Sequence, residues 1–340
     1  MVRKHLSDSG TTNVQFSLIT LSILFFLLMS GVCSGQQSSS VAAYPQRPIR
    51  LILGWPPGAS TDILARLVSQ KLTSNLKQQV IVDNRPGAGG LIGSRIVAEA
   101  IPDGYTLLLT ISSLSTIPAV NPNASYDPVR DFTPLMLIAQ SPSRVVVNPK
   151  VPANTIQELF ALMKAKPGSL NYGTPGNGTP VHLAIELFKS MSGVNIVHVP
   201  YKGNGPAMTD LIGGQIQIMF AGTLASIPQV KAGRIRALAV TSSQRRPDSP
   251  ELPTIAETIL PGYEHMEWFG VIAPPGLPKP LLARIHAELT RAIKDPEIRD
   301  RLSEDGMDLV VGGPDEFAAI IKRDFAKWKR VVKENKITAD

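Results

Sequence analysis

Four glycine-rich polar turns, each between an apolar β-type run and a helical segment, constrain this chain most. They lie at 54–62, 84–90, 173–180 and 201–206. Such a turn can aim bare backbone N–H groups and the positive end of a helix at one point, which is how a protein holds an anion without a metal. None of the four carries an evident nucleophile with its base. The turns therefore predict first a protein that binds a small anion, and only second one that transforms it.

Around these turns, strands and helices alternate over the whole chain after residue 44. Short apolar strands separated by helical segments of about ten residues or more are typical of parallel β-α-β units. Two such sets, with C-terminal helices left over to return to the first, predict an α/β protein with two lobes joined by two crossing strands. The loops at the carboxyl ends of parallel strands converge between such lobes, so the cleft between them is the expected ligand site.

The predicted bounds of the lobes follow from the two places where the chain crosses from one lobe to the other. We expect crossings near 145–147 and 270–273. The resulting division assigns 44–143 with 272–340 to lobe 1, and 144–271 to lobe 2.

The first 35 residues have the layout of a secretory signal peptide. Basic residues at 3–5 precede an apolar stretch at 16–32, and small and polar residues follow. This pattern predicts cleavage between 35 and 43 and a periplasmic mature protein. A membrane anchor formed by the same stretch is one alternative. A lipid anchor at Cys33, the only cysteine of the chain, is another.

Several other classes of function find no support in the sequence. The formal net charge of +7 is spread thinly, without a block of basic residues, so no nucleic-acid partner is expected. Gly87 and Gly89 match the first two glycines of a dinucleotide fingerprint, but Ile92 occupies the third position. The sequence also lacks a Gly-Lys-Ser/Thr loop and a His-Glu-x-x-His pair. We therefore predict no cofactor and no bound metal.

The first turn supplies candidate ligand contacts from its backbone. Gly58, Ala59 and Ser60 can present their amides to a carboxylate, with Asp62 orienting the loop. The alternative is plain capping of the following helix by Ser60, Thr61 and Asp62.

The third turn is the best candidate. Thr174, Asn177 and Thr179 supply hydroxyl and amide groups, while Gly176 and Gly178 let the backbone approach a ligand closely. We predict ligand contact here.

The fourth turn contributes Tyr201 and Lys202. Lys202 is either a solvated surface charge or an electrostatic partner for an acidic ligand. A hydrolase using Ser60 or Thr174 with His182 is an alternative function, although no orienting third group is visible.

These turns occur with further motifs in a characteristic order. The motifs are PDGYTLL at 102–108, HVPYKG at 198–203 and RALAVT at 236–241. From about residue 44 to the C-terminus, the chain thereby resembles the extracytoplasmic substrate-binding receptors of tripartite tricarboxylate transporters, also called Bug receptors.

The resemblance implies a type II periplasmic-binding-protein fold whose two lobes close on an organic carboxylate. It also implies delivery of that ligand to the membrane permease subunits of the transporter. Ser112 and Ser113 fall at a ligand-lining position of the family. At two positions the chain departs from many relatives: Ala59 replaces a glycine, and Ala221 stands where an aspartate is common, after a strand that we expect to end at Phe220.

Taken together, we expect a monomeric receptor rather than an enzyme, with no catalytic residue. A sensor component that presents its bound ligand to a membrane kinase is an alternative role for the same cleft.

Overall fold

The computed structural model describes residues 1–2, 43–58, 60–304 and 306–338. The chain divides into two units, 1–46 and 47–340, and every element named below lies in the second. The predicted signal peptide, most of its cleavage region and Cys33 lie outside the described residues. No helix within the described ranges is long and apolar enough to cross a membrane.

The first part of the fold alternates strands and helices as predicted. Its elements are β1 (Ile49–Leu53), α1 (Ser60–Leu76), β2 (Val80–Asn84), α2 (Leu91–Ala98), β3 (Thr106–Ile111) and α3 (Ser113–Val120).

The middle part begins with one long strand and continues the alternation. Its elements are β4 (Thr133–Val147), α4 (Ile156–Ala165), β5 (Asn171–Thr174), α5 (Pro180–Ser192), β6 (Val197–Pro200), α6 (Asn204–Gly213), β7 (Ile218–Gly222), α7 (Thr223–Lys231) and β8 (Arg236–Val240).

The last part is mostly helical. Its elements are α8 (Ile255–Thr258), β9 (Met266–Ala273), α9 (Lys279–Ile293), α10 (Pro296–Glu304), β10 (Asp308–Gly312) and α11 (Pro314–Asn335).

The strands form a continuous sheet in the order β2-β1-β3-β9-β4-β7-β5-β6, and β8 and β10 also pair with β4. Strand β1 is parallel to β2 and β3, and β5 is parallel to β6 and β7. All pairings of β4 and β9 are antiparallel. The outer strands therefore follow the predicted β-α-β units, whereas the centre of the sheet does not.

Strand β4 belongs to both halves of the sheet. Residues 133–142 pair with β9, and residues 143–147 pair with β7. We call the part with β1–β3, β9 and β10 the first lobe, and the part with β5–β8 the second lobe. The chain passes between the lobes a second time where the Thr241 carbonyl accepts from the His265 amide (2.9 Å), just before β9. The residue-level division of the lobes given above stays a prediction.

Each lobe has its own apolar core. In the first lobe, Ile52 and Leu108 pack with Phe317 and Ile321 of the C-terminal helix, α11. In the second lobe, a separate cluster includes Tyr172, Phe188 and Phe220. Because burial of a large apolar side chain contributes about 1.5–3 kcal/mol, each lobe is a firm support for the turns at its edge.

Several elements differ from the expectation that the sequence supports. Helices α3 and α7, which contain Pro118 and Pro228, are not predicted by the pattern. The apolar runs at 135–139 and 144–148 predict two strands, but they form one strand, β4, because the polar stretch between them stays in the sheet. Elements α10 and β10 were also not predicted.

Candidate functional site

Two adjoining cavities lie where the turns of the two lobes meet. The first has a volume of about 580 Å³ and the second about 410 Å³. Both are lined by Trp55 and Pro56 of the first turn and by Pro175, Thr179 and Gly203 of the second lobe. We refer to the two cavities together as the cleft. Parallel strands β1, β2, β5 and β6 all end at it, as expected for an α/β ligand site.

In the first turn, the carboxylate of Asp62 fixes the backbone. It accepts from the Gly58 amide (3.0 Å), from the Arg66 guanidinium (2.9 and 3.1 Å) and from the Asn84 side-chain amide (3.0 Å). The Asn84 amide also donates to the Trp55 carbonyl (3.0 Å). Gly58 lines the second cavity, but its N–H is used by Asp62 and does not face a ligand.

This network keeps Asp62 ionised. Burial by itself raises the pKa of the Asp62 carboxyl, but the hydrogen bonds from Arg66, Gly58 and Asn84 outweigh it and hold the pKa below its usual value. The carboxylate therefore orients the loop at neutral pH and is not itself exposed to the cleft.

Thr61 is a cleft residue that the sequence analysis considered only as a cap. Its side chain is buried, lines the second cavity, and its Oγ1 has no hydrogen-bond partner among the described residues. Buried hydroxyls are normally hydrogen-bonded, so an unpaired one at a cavity wall is a candidate ligand contact. Ala59 lies outside the described residues, and Ser60 is the first residue of α1.

The second turn packs tightly against the first. A Cβ at Gly54 would lie 2.8 Å from the Cα of Gly90, which is closer than real side chains approach. Gly90 itself has a φ of 99°, in the left-handed region that favours glycine. The turn also lines the first cavity with Pro86, Gly87 and Ala88. It was not among the predicted ligand residues.

In the third turn, two of the predicted backbone donors are used within the protein. The Gly178 amide donates to Nδ1 of His182 (3.1 Å), and the Gly176 amide donates to the Thr174 hydroxyl (3.3 Å). The Thr179 hydroxyl donates to the Gly176 carbonyl (2.8 Å). The turn is thus held in place by its own hydrogen bonds. Asn177, Gly178 and Thr179 line the first cavity, whereas Thr174 is fully buried and lines neither cavity.

Behind the third turn lies a stack of aromatic rings. His182 stacks on His198 with ring centroids 4.2 Å apart, and His198 stacks on Tyr172 at 4.9 Å. Burial lowers the pKa of both His182 and His198 to about 4, so both rings are neutral at pH 7. A neutral ring is what the Gly178 amide requires, because Nδ1 must offer a lone pair.

The hydrolase alternative does not fit this arrangement. The imidazole near the Thr174 hydroxyl is His198, 2.6 Å from its Nε2, rather than the predicted His182. Since Thr174 is inaccessible from the cleft, this pair cannot reach a substrate there. The pair positions the turn instead.

The fourth turn separates its two predicted residues. The Tyr201 hydroxyl donates to Asp210 (2.7 Å), its amide donates to the Thr174 carbonyl (3.0 Å), and the residue lines neither cavity. Burial and this hydrogen bond raise the pKa of Tyr201 to about 12. Lys202 is exposed and lines the first cavity, where no other described lining residue is charged.

Three further predicted contacts do not line the cleft. Ser112 and Ser113 are buried at the start of α3, behind the cavity wall. Ala221 packs in an apolar cluster with Val146 and Met219. The placement of Ala221 was wrong because β7 runs to Gly222, two residues beyond the predicted end, so position 221 is still inside the sheet. Gly222 and Thr223 line the second cavity instead.

Among the described residues that line the second cavity, Glu267 is the one that is ionisable. It lies on β9 and was not predicted. Burial raises the pKa of its carboxyl to about 7. Within the described ranges, no group of three His, Cys, Asp or Glu side chains has the geometry of a metal site.

The role of Asp62 can be tested by substitution. We expect Asp62→Ala to lower the free energy of unfolding by about 2–4 kcal/mol, since hydrogen bonds to a charged group contribute about 1.5–3 kcal/mol each and several are lost. Urea denaturation of the purified protein measures this. Glu99→Ala is the matched control: Glu99 also lies four residues from an arginine, Arg95, but the pair is exposed and 3.8 Å apart. Its removal should change stability by less than about 1 kcal/mol. Equal losses in the two variants would contradict the role given to Asp62.

The neutral histidine pair makes stability depend on pH. The pKa of His182 is about 4 in the folded protein against 6.5 for a free side chain. As the pH falls from 6.5 to 4, the unfolded chain takes up the proton first, so this residue destabilises the fold by up to about 3 kcal/mol. Above pH 6.5 it contributes no pH dependence. We expect His182→Gln to lose less stability than the native chain between pH 7.5 and pH 4.5, as measured by urea denaturation at each pH. His286→Gln, which alters a histidine on α9 outside the stack, should follow the native chain. An acid loss in His182→Gln as large as the native one would contradict this.

This chain is similar to several known proteins. Residues 64–337 match the model of the tripartite tricarboxylate transporter family receptor. Protein BugT of Bordetella pertussis is 35% identical over 297 residues, which cover 87% of this chain and 91% of BugT. Among solved structures, periplasmic binding protein BugD has a TM-score of 0.78 at 33% identity, covering 87% of this chain and 99% of its own. An R. palustris protein solved with adipate has a TM-score of 0.78 at 35% identity, covering 87% and 99%.

These matches confirm the type II periplasmic-binding-protein fold predicted from the alternation and the resemblance. The family consists of receptors, which confirms the prediction that the chain is not an enzyme. The chain belongs to the tripartite tricarboxylate transporter receptor family, the family of the Bug proteins.

Proposed function

We propose that this protein is a periplasmic solute receptor that binds a small organic carboxylate in the cleft between its two lobes. We further propose that it acts as a monomer and delivers the ligand to the membrane permease subunits of a tripartite tricarboxylate-type transporter. The observation that carries the proposal is the cleft itself, to which both lobes contribute turns with few free polar groups.

The charge of the first cavity suits a carboxylate. Among its described lining residues only Lys202 is charged, and the remaining wall is made of turn backbone, the polar side chains of Asn121, Asn177 and Thr179, and apolar side chains such as Ile117 and Val120. A cationic side chain beside an otherwise neutral wall favours an anion, because each charge-assisted hydrogen bond contributes about 1.5–3 kcal/mol. Three to five such contacts leave room for the cost of association and still reach about −8 kcal/mol, which is micromolar affinity.

The residues that carry the proposal differ in part from those predicted. We propose ligand contact by Thr61 of the first lobe and by Asn177, Thr179 and Lys202 of the second. Gly58 of the first turn contributes the shape of its backbone, which Asp62 fixes. Thr174 and Tyr201 hold the turns from behind through their hydrogen bonds, whereas Ser112 and Ser113 are buried and line neither cavity.

Binding from both lobes also gives a reason for closure. A ligand that contacts Thr61 on one side and Thr179 on the other makes all its contacts only when the lobes are shut. Such a receptor presents a different surface to its permease with and without ligand, which suits delivery. The adipate bound by the R. palustris relative supports an organic acid as the ligand class.

The first test is isothermal titration of the mature protein against mono-, di- and tricarboxylates, with neutral sugars as the comparison. We expect micromolar binding of at least one acid and none of the sugars. Binding of sugars alone would overturn the proposal.

The second test concerns Thr61. We expect Thr61→Val to weaken binding of that acid by about tenfold or more, since a hydrogen bond to a charged ligand is lost while the side-chain shape is kept. Thr290→Val is the matched control, because the Thr290 hydroxyl donates only to the His286 carbonyl within α9. Unchanged affinity in Thr61→Val would remove this residue from the site.

A further inference from the structure

Glu267 places a carboxyl group in a cleft that we propose binds carboxylates. It lies on β9, where alternate residues face opposite sides. Glu267 and Phe269 line the second cavity, whereas Trp268 faces the opposite side, packs against Phe317 and donates to Asp324 (2.8 Å). The orientation of Glu267 therefore follows from the register of the strand and not from a flexible loop.

Among the described residues, Glu267 has neither an ion-pair partner nor a hydrogen-bond partner. The polar side chains that share its cavity are hydroxyls and the amide of Asn204. The Ser141 hydroxyl donates weakly to the Gly306 carbonyl (3.3 Å), and the Thr223 hydroxyl donates to the Pro142 carbonyl (3.3 Å). The buried Thr61 hydroxyl has no hydrogen-bond partner among the described residues. A half-buried acid with no partner is costly unless a ligand supplies one.

Within the part of the chain that the structure describes, the elements around Glu267 bring no compensating charge to it. Strand β4 places Ser141 opposite it in the sheet. His265 immediately precedes β9 and lines a separate cavity on the other side of the strand. The charged residues of that cavity are Glu264, Arg323, Asp324 and Lys327. Lys202 lines the first cavity and not the second. The cleft thus has one basic end, at Lys202, and one acidic end, at Glu267.

We propose that Glu267 selects the ligand by its far end, so that the preferred ligand is a carboxylate with a positively charged amino group at the opposite end. This inference rests on the proposed function. The ligand carboxylate lies where the two cavities adjoin, between Thr61 and Lys202, and the ammonium group reaches Glu267 in the second cavity. An ammonium group donates to the Glu267 carboxylate and pairs its charge, whereas a second ligand carboxylate meets a like charge in a poorly solvated site.

The experiment compares matched ligands of the same length. Isothermal titration is run with succinate against 4-aminobutanoate, glutarate against 5-aminopentanoate, and adipate against 6-aminohexanoate. We expect the native protein to bind the amino acid of at least one pair about tenfold more tightly than the diacid. In Glu267→Gln this preference should fall by about tenfold or more, while Glu267→Asp keeps the charge and most of the preference. Glu264→Gln removes a nearby acid outside the cleft and should behave like the native protein.

A second measurement gives the number of protons that the protein releases when it binds the ligand. When the ammonium group binds at pH 7, it lowers the pKa of Glu267, so the native protein should release a fraction of a proton per ligand. Titrations in two buffers with different ionisation enthalpies measure this number. We expect the release to vanish in Glu267→Gln, with thermal melting of each variant confirming that it is folded.

The outcomes separate the two proposals. If carboxylates bind and the diacid-to-amino-acid ratio is the same in the native protein and Glu267→Gln, the selection by Glu267 is wrong and the receptor function stands. If a folded Glu267→Gln loses all ligands equally, Glu267 does not select between them, and this inference is again overturned. If no carboxylate binds to the native protein, the receptor function fails and the inference fails with it.

Discussion

The structure depends on strand β4, which pairs with strands from both halves of the sheet. Strand β4 is buried along most of its length, and it exchanges β9 for β7 as a partner between Pro142 and Ser143. Backbone N–H and C=O groups in a buried sheet are costly to leave without a hydrogen-bond partner. This strand therefore joins the two lobes at a fixed place. The carboxyl ends of β1 and β2 then meet those of β5 and β6 across one cleft. The position of the binding site is therefore a consequence of the sheet.

The turns at the cleft are held by contacts within the protein before any ligand arrives. Asp62 uses the Gly58 amide, and His182 uses the Gly178 amide. These were two of the donors that the glycine-rich pattern suggests for an anion. Because these amides donate within the protein, fewer donors remain for a ligand, but the shapes of the loops are fixed. A rigid site loses less conformational entropy when the ligand binds. The ligand is then left with a small set of groups, chiefly the Thr61 hydroxyl, the wall around Thr179 and the two opposite charges of Lys202 and Glu267.

The sequence predicted the elements where a long apolar pattern and a clear break coincide. The pattern predicts a strand at 80–84, which are the bounds of β2, and a helix at 62–76, which is α1 without its first two residues. Helix α3 is not predicted, because Pro118 interrupts the pattern; in the structure the Leu114 carbonyl, to which Pro118 cannot donate, accepts from the Tyr126 hydroxyl (3.1 Å). The third turn was found from its glycines, but no local signal tells which amides the protein uses itself. That depends on His182 and Asp62, which reach the turns only through the fold.

The acidic end of the cleft, at Glu267, could not be predicted from the sequence for a related reason. Glu267 precedes an apolar run that reads as an ordinary buried strand, and its significance depends on which side of β9 faces the cavity. The register of β9 against β4 decides this, and a shift of one residue would place Trp268 in the cleft instead. The most direct test of the whole account is a crystal structure of the protein with the tightest-binding carboxylate. It should show the carboxyl group in the cleft with donors from both lobes, including Thr61 and the third turn, within about 3.2 Å. A ligand bound outside the cleft, or held by one lobe alone, would contradict it.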